Sequence, residues 1–584
     1  MLRSLAAVLF VVSAAAVADA QTLEIWDIQG DGMSSPYEGT LVTTRGNVVT
    51  AVGVDLLFIQ TPDARSDGNP WTSDGILVDL GRTPTVSVGD LVDVTGTVVE
   101  SYGSTEIAGN PTVSVVVAGH GPPSVVEFDS QTPTSFQPWP ETELERFEGM
   151  VVRISAGVVT APSDQYGEAC VSAGDRRLYR EPGILYPGEP GLAVWDGNPE
   201  GFELDPTGLG GGRHDFAAGS TFGAEGPLAY AFGAYQLWPT AFEVIEEAHL
   251  PVPVPSPSPG EVTVGSQNMY RLGDHGDDVP YATRLSKLSR QVREVLESPQ
   301  VLAVQEVMDL DTLSDLAGRI GDDDPAVHYH PYLVEGNDFG GIDVGFLVRD
   351  PVRVLDVFPV GADARFNWDG SLLFDRPPLV LEAGFSGVSG SFEATLVAVH
   401  LRSLGGIDDP DDGERVRQKR QEQSGWLAAW IQERQTADPD QPIIVLGDFN
   451  AFEFSDGYVD VMGQITGEPD PDGALLPAGE DVEPPLVNWL LSLPERDRYS
   501  FVFGCSAEVL DHVVTNRAAS AWVRGVAYSR GNADAPNDLE LDPATALRSS
   551  DHDGLVLYLG SRTRRGAGPR RIPVSGGKLL AISH

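Results

Sequence analysis

Short apolar runs that each close on one or two polar residues recur through the second half of this chain. Val301-Leu302-Ala303-Val304 leads into Gln305-Glu306, Leu396-Val397-Ala398-Val399 into His400, and Ile443-Ile444-Val445-Leu446 into Gly447-Asp448-Phe449-Asn450. Val262-Thr263-Val264 leads toward Asn268, Val509-Leu510 stands before Asp511-His512, and Ser550-Asp551-His552-Asp553 precedes Leu555-Val556-Leu557-Tyr558. Unbroken apolar runs this short read as strands buried on both faces. Between them lie stretches of helical periodicity. Leu285, Leu288, Val292, Val295 and Leu296 form one stripe over 282–297, and further helices are expected near 311–319 and over 415–433. Strands alternating with helices predict an α/β fold with a large sheet.

The polar residues at the run ends are the candidates for chemistry. A carboxylate closing a buried strand, such as Glu306, is costly unless it is paired or bound to a cation. Asp448 and Asn450 stand two apart after a core strand. The carboxylate can hold or orient a water, and the amide can donate to an anionic oxygen. His400 and His552 have carboxylates available and suit acid/base or anion-stabilising roles. Asp511 can orient a histidine and favour its charged form. Asp551 adds a hard oxygen donor near Glu306. Oxygen donors without cysteine partners favour Mg²⁺ or Mn²⁺ over zinc.

The rest of the 584-residue chain is organised around punctuation. Pro251-Val-Pro-Val-Pro-Ser-Pro-Ser-Pro259-Gly260 predicts an extended, semi-rigid linker over 251–260. Before it, short alternating runs at 41–50, 56–60, 75–79, 91–99 and 150–155 predict small all-β units, one over 21–120 and a second over 121–250. Tyr37-Glu38-Gly39 before Leu41, and Phe147-Glu148-Gly149 before Met150, give the two units a common rhythm. At the front, Arg3, an apolar stretch from Leu5 to Val17 and Ala18-Asp19-Ala20 have the pattern of a removable signal peptide over 1–20. That pattern predicts a secreted protein, with the periplasm or cell surface as alternatives. No later segment is apolar and long enough to span a bilayer.

Charge bears on what can be bound. The chain carries 38 basic and 86 acidic residues, a net −48, with lysine only at 287, 419 and 578. A polyanion would be repelled by the global field, so its binding must rest on local arginines, divalent cations and screening salt. The acidic loop 408–412 reads as a solvated charge run or a Ca²⁺ loop. Cys170 and Cys505 are the only cysteines. In an oxidising compartment they could pair, which would staple two domains together.

Six segments in order, Ser266-Gln267-Asn268, Gln305-Glu306-Val307, Val399-His400-Leu401-Arg402-Ser403, Gly447-Asp448-Phe449-Asn450-Ala451, Leu510-Asp511-His512 and Ser550-Asp551-His552-Asp553, resemble the endonuclease/exonuclease/phosphatase superfamily. The resemblance covers about residues 261–560. It implies a four-layer α/β sandwich of the DNase I-like type, with two packed sheets flanked by helices. Matched motif by motif, it implies Glu306 as metal ligand with Asn268 and Asp551 nearby, and Asp448 orienting or deprotonating water. It implies Asn450 steadying a phosphate, His400 and His552 stabilising the transition state, and Asp511 orienting His552. Asp343 would orient His400, and Arg376 would contact phosphate with Arg402 on the rim. Gln267 stands where many relatives have Trp, a departure expected to affect packing more than chemistry.

The implied cofactor is Mg²⁺, with Mn²⁺ or Ca²⁺ as alternatives. The implied partner is DNA, or RNA, as substrate, without stable membrane insertion. Ile28-Gln29-Gly30, Ser35-Pro36-Tyr37-Glu38-Gly39, Phe58-Ile59-Gln60 and Thr72-Ser73-Asp74-Gly75-Ile76 resemble the OB-fold-like module that precedes the catalytic domain in bacterial secreted nucleases. That module can be a nucleic-acid platform or a structural unit. A basic tail over 561–584 is either a DNA-touching arm or a remnant. Phospholipid phosphodiesterases and phosphatases of the same superfamily, and a non-catalytic binding or adhesion protein, remain as alternatives.

Overall fold

The computed structural model describes residues 20–135, 142–273, 279–387, 390–479 and 481–560. The expected signal peptide, apart from Ala20, and the basic tail lie outside these residues. Among the described residues, no helix is long and apolar enough to cross a membrane.

The half after the proline-rich segment is built on two six-stranded sheets. One runs Tyr329–Leu333, Asp343–Arg349, Val301–Val307, Val262–Leu272, Leu555–Leu559, Val523–Tyr528. The other runs Arg353–Pro359, Leu379–Gly387, Gly390–His400, Ile443–Asp448, Asp511–Thr515, Val487–Asn488. Side chains alternate between faces with period two. Val264, Ala303, Phe346 and Leu557 of the first sheet pack against Leu396, Ala398, Leu446 and Val513 of the second, making the central core.

The opposite parities face helices. Leu302, Val304, Leu347 and Val556 meet Leu288 and Val292 and the Leu310–Asp323 helix through Leu313, Leu316 and Ile320. Val397, Val399, Val445 and Val514 meet Leu427, Ala428 and Ile431 of the Gly413–Ala437 helix. Strands covered on both sides explain the unbroken apolar runs of the sequence. The layering is the expected helix–sheet–sheet–helix sandwich.

Two closed β barrels precede it. In the first, Leu41–Val52, Leu56–Gln60, Gly75–Asp79, Ser104–Val117 and Leu91–Ser101 pair in that order, and Leu91–Ser101 pairs back onto Leu41–Val52. In the second, Val151–Val159, Ala169–Ala173, Phe202–Leu204, Ala234–Leu237 and Thr221–Ala231 do the same, closing through Thr221–Ala231 and Val151–Val159. Each therefore has the strand order 1-2-3-5-4-1 with a parallel pairing between third and fifth strands. Each also turns its fourth strand into its fifth on an aromatic–glycine pair at positive φ, Tyr102-Gly103 and Phe232-Gly233. The shared rhythm seen in the sequence thus corresponds to a shared topology.

The barrels join over buried carboxylates. The Thr105 amide donates to Glu148 and the Tyr235 hydroxyl to Glu145. Gly75 and Gly149 touch so closely that a Cβ on either would fall within 2.2–2.5 Å of the other's backbone region. Burial pushes Glu145 up to about 7 against the opposing Tyr235 hydrogen bond. Burial and the Glu145 charge hold Glu148 well above the usual carboxylate range. Folded-state values above unfolded ones mean that the folded protein binds the extra protons. This contribution is fully present below the unfolded carboxylate range and is lost as pH rises through the folded values. Calorimetry should therefore find a melting temperature that falls between about pH 5 and pH 8, and a shallower fall in Glu148→Gln. An identical slope in the variant would rule this cluster out as a source.

The proline-rich segment, expected as an extended semi-rigid linker, also makes contacts with the domain that follows it. Val254 is buried among Val292, Leu296 and Tyr558, its amide donates to Val295 O, and Pro255 O accepts the Tyr558 hydroxyl. The extended backbone puts alternate side chains on one side, and here the apolar Val254 packs against the domain that follows. Cys170 and Cys505 are disulfide-bonded, so the second barrel is also stapled to that domain.

Candidate active site

Strand parity brings most of the site together. Asn268 shares the inward parity of Val264, His400 that of Ala398, Asp448 that of Leu446, and Asp511 that of Val513. In the second sheet, His400 is directly opposite Asp448, and Asp448 opposite Asp511, three neighbouring strands placing three polar side chains in a row. The inter-sheet core simply runs out at the strand ends, and polar groups take over the space it leaves.

Glu306 gets there differently. Its parity is that of Leu302 and Val304, which face the helices. The pairing register slips between Val304 and Val307, and Glu306 has φ 60°. Such a bulge re-aims a side chain at the cost of a strained non-glycine backbone. The Asn268 Nδ2 donates to Glu306 Oε1 at 3.2 Å and to Asp448 Oδ2 at 3.1 Å. His400 Nε2 lies 3.7 Å from Glu306 and 3.6 Å from Asp448.

Two histidines here have opposite electrostatics. Burial, with the charges of Arg376 and His552, holds His400 well below its ordinary value, so it is neutral. Burial also opposes the charged form of His552, but Asp511, Asp551 and Asp448 outweigh it and hold that imidazole well above its ordinary value. His552 Nδ1 and Asp511 Oδ2 are 2.7 Å apart. Asp448 is pushed up to about 7 by burial, with Asp511 and Glu306 adding to it and His552 opposing.

The donor set fits a divalent cation. Ligand atoms of Glu306, His400 and Asp448 all lie within 4.8 Å of one another. Glu306 is raised by burial and by the Asp551 charge. Two crowded carboxylates, one buried and one partly buried, share one neutral amide donor, an arrangement that a hard cation would relieve. The expected ligand set needs adjustment. Asn268 Oδ1 accepts the Tyr270 amide at 2.9 Å. A backbone N–H can only donate, so Asn268 turns its NH₂ toward the carboxylates and orients them. Asp551 stands outside the close group and reaches Glu306 through its charge.

Other expected residues are placed less directly. Asp343 accepts the Gly336 amide at 2.8 Å, while His400 Nδ1 is buried without a hydrogen-bond partner. The expected Asp343–His400 pair is therefore not formed: Asp343 opens its strand opposite Val307 and is held by the loop before it. Burial and the charges of Asp338 and Glu335 push it up to about 6. Arg376 spends its guanidinium on His400 O, Leu401 O and Asp338, although its charge reaches His400 and Glu306. Arg402 folds back onto Ser403 and Gly405. Asn450, at φ 48°, donates to Leu401 O, and its amide N–H donates to Asp448 Oδ1. In the acidic loop, Asp409 accepts the amides of Asp411 and Asp412 at the head of the long helix.

Several supporting residues carried no recognisable sequence signal. Ser500 Oγ donates to Asp511 Oδ2 at 2.7 Å, and the Phe501 ring lies 4.8 Å from that of His552. Asn532 and Gln267 both donate to His552 O. Gln267, expected to matter mainly for packing, also donates to Asn268 O and so ties two site strands together. Asp553 is buried, pairs with Arg530 at 3.2 Å and accepts the Asn532 amide. It fixes the loop beneath His552.

Residues 265–552 match the Endonuclease/Exonuclease/phosphatase family. This region belongs to that family. Its members are hydrolases acting on phosphoester bonds. Residues 143–248, which include the second barrel, match a domain of unknown function, DUF8508. The chain is similar to truncated Caenorhabditis elegans TDP2, at 18% identity over 52% of this chain and 98% of that one, with a TM-score of 0.34. It is similar to the human nocturnin catalytic domain, at 14% identity over 53% and 96%, with a TM-score of 0.35. A Bacteroides vulgatus endonuclease/exonuclease/phosphatase protein is 15% identical over 51% and 98%, with a TM-score of 0.34. No curated protein matches the chain.

Proposed function

We propose that this protein is a secreted, divalent-cation-dependent phosphodiesterase that cleaves DNA, with RNA as the alternative polymer. The observation that carries the reading is the convergence of Glu306, Asp448 and His400 beside the charged Asp511–His552 pair. Asp448 orients a water and takes its proton. The water oxygen bonds to phosphorus as the opposite P–O bond breaks, leaving 5′-phosphate and 3′-hydroxyl ends. His552, kept charged by Asp511, offsets the negative charge that develops on the phosphoryl oxygens. Neutral His400 and the Asn450 amide hold the phosphate against Asp448. A divalent cation, Mg²⁺ first with Mn²⁺ or Ca²⁺ as alternatives, would be held by Glu306 with Asp448, with the Asp551 charge nearby, and would supply further positive charge there.

Export is supported by the pattern of residues 1–20 and by the disulfide, which persists in oxidising compartments. A nucleic-acid substrate is supported by the 1-2-3-5-4-1 barrels, a topology in keeping with an OB-like module. It also requires local attraction from Arg376 within a chain of net charge −48.

The deciding experiment incubates the purified protein and Mg²⁺ with supercoiled plasmid, single-stranded RNA, sphingomyelin vesicles and mononucleotides. Nicking of plasmid is the expected result. Cleavage confined to lipid or to mononucleotides would move the reading to a phospholipid phosphodiesterase or a phosphatase. Inactivity on all four would favour a binding protein.

A further inference from the structure

The second barrel does more than adjoin the catalytic domain. The Arg180 amide donates to Ala507 O at 3.0 Å and the Ala507 amide to Leu178 O at 2.9 Å. A parallel bridge between Tyr179 and Ala507 thereby joins segment 178–180 to the hairpin Phe501–Phe503 and Ser506–Glu508. The turn of that hairpin carries Cys505, bonded to Cys170 on the barrel strand Ala169–Ala173. Asn198 of the barrel donates to both Tyr179 O and Ser506 Oγ, fastening the same junction again.

What this hairpin carries is part of the site. Phe501 packs on the His552 ring, and Ser500 donates to the carboxylate oxygen of Asp511 that also faces His552. Ser500 is itself held by its neighbours: its amide donates to Glu508 O, and its carbonyl accepts the Asp553 amide. Arg177, from the barrel, reaches the residue just before it. Its guanidinium pairs with Asp534 at 2.6 Å and stacks on the Tyr499 ring at 4.4 Å. The Tyr499 hydroxyl donates to Asp534 at 2.7 Å. Arg530 also stacks on Tyr499, at 3.6 Å, and donates to Tyr499 O and Asp553. A buried ion pair is a poor source of stability, but a planar guanidinium against a ring is a precise spacer for the backbone beside it.

We propose that the second barrel is an integral part of the active site, with Arg177 as a positioning residue that acts through Asp534 and Tyr499 to set Ser500 and the Asp511–His552 pair. The proposal gives the barrel a role in turnover. It rests on the hydrolase reading above only for the kinetic half of its test.

The test uses the full chain with its disulfide intact and two variants, Arg177→Ala and Tyr499→Phe. The second keeps the ring and removes only its bond to Asp534, so it serves if the first does not fold. One readout is the split between kcat and KM on the polymer substrate. A misplaced catalytic pair should lower kcat about tenfold or more and leave KM within about twofold. The other needs no turnover. A proton held between an imidazole and a buried carboxylate gives a resonance far downfield in the proton NMR spectrum, assigned here by its loss in His552→Ala. It should shift or disappear in both variants. An unshifted resonance with unchanged kcat would overturn the proposal, as would a rise in KM alone, which would mark the barrel as a binding surface. If the unaltered protein cleaves nothing, the hydrolase reading fails and the resonance alone decides the positioning role.

Discussion

His552→Ala lowers phosphoester cleavage at least about a hundredfold, the scale of removing a preorganised group that meets charge developing in the transition state. The reason is specific to this imidazole. Its Nδ1 lies 2.7 Å from Asp511, Asp551 and Asp448 add their charges, and Gln267 and Asn532 pin its carbonyl. The ring is held charged and oriented before substrate arrives, so no reorganisation is needed during reaction. Asp511→Asn should show much of the same loss, because it keeps the shape and removes the charge that keeps His552 protonated. Both variants should remain folded by circular dichroism. Asp511 retains Ser500 as a partner, and the lost bond costs about 1–3 kcal/mol. A rate within tenfold of the parent would sink the assigned role.

Removing divalent cations should abolish cleavage, and Glu306→Gln should lower it by about a hundredfold or more. The same substitution should have opposite effects on stability with and without the cation. In the metal-free protein, the partly buried Glu306 and the buried Asp448 are adjacent and both pushed upward. Neutralising one relieves the other, so metal-free Glu306→Gln should melt no lower than the parent. Mg²⁺ should then raise the melting temperature of the parent by mass action and do little for the variant. Thermal scans across a Mg²⁺ titration check both signs. Near-parent cleavage in EDTA would overturn the metal requirement, and an equal Mg²⁺ response in the variant would place the cation elsewhere.

Much of this site was legible because alternation is local. Asn268, His400, Asp448 and Asp511 lie an even number of residues from inward-facing core positions on their own strands, so an apolar run with its closing polar residue already specifies the face. The long helix was legible for a similar reason, its expected 415–433 falling inside the observed Gly413–Ala437. Glu306 was recognised by its motif, although period two would have turned it toward the helices. Its arrival depends on a left-handed backbone at a bulge, which alternation alone cannot foresee.

The misplacements have a common cause. Asn268 was expected to offer an oxygen, and Asp343 to meet His400. Both were carried over from the family's motifs, and both side chains instead accept nearby backbone amides, that of Tyr270 on the same strand as Asn268 and that of Gly336 in the loop before Asp343. The linker was read from its prolines as a spacer, and one of its residues, Val254, packs into the neighbouring core. Hydrogen-bond competition and groove complementarity depend on neighbours distant in the chain, which residue type does not report.

Short-range periodicity sufficed for the layered α/β class, and the likeness of six ordered motifs at strand ends sufficed for the family of 265–552, because both are written in residues adjacent in the chain. The fold as a whole decided that the two β units are closed barrels of one topology. It also decided that Cys170 meets Cys505 across 335 residues, and that Ser500, Gln267, Asn532 and Arg177 stand behind the catalytic pair. Those contacts join segments far apart in the chain. Their existence depends on how the whole molecule closes, and no local pattern of residues carries that information.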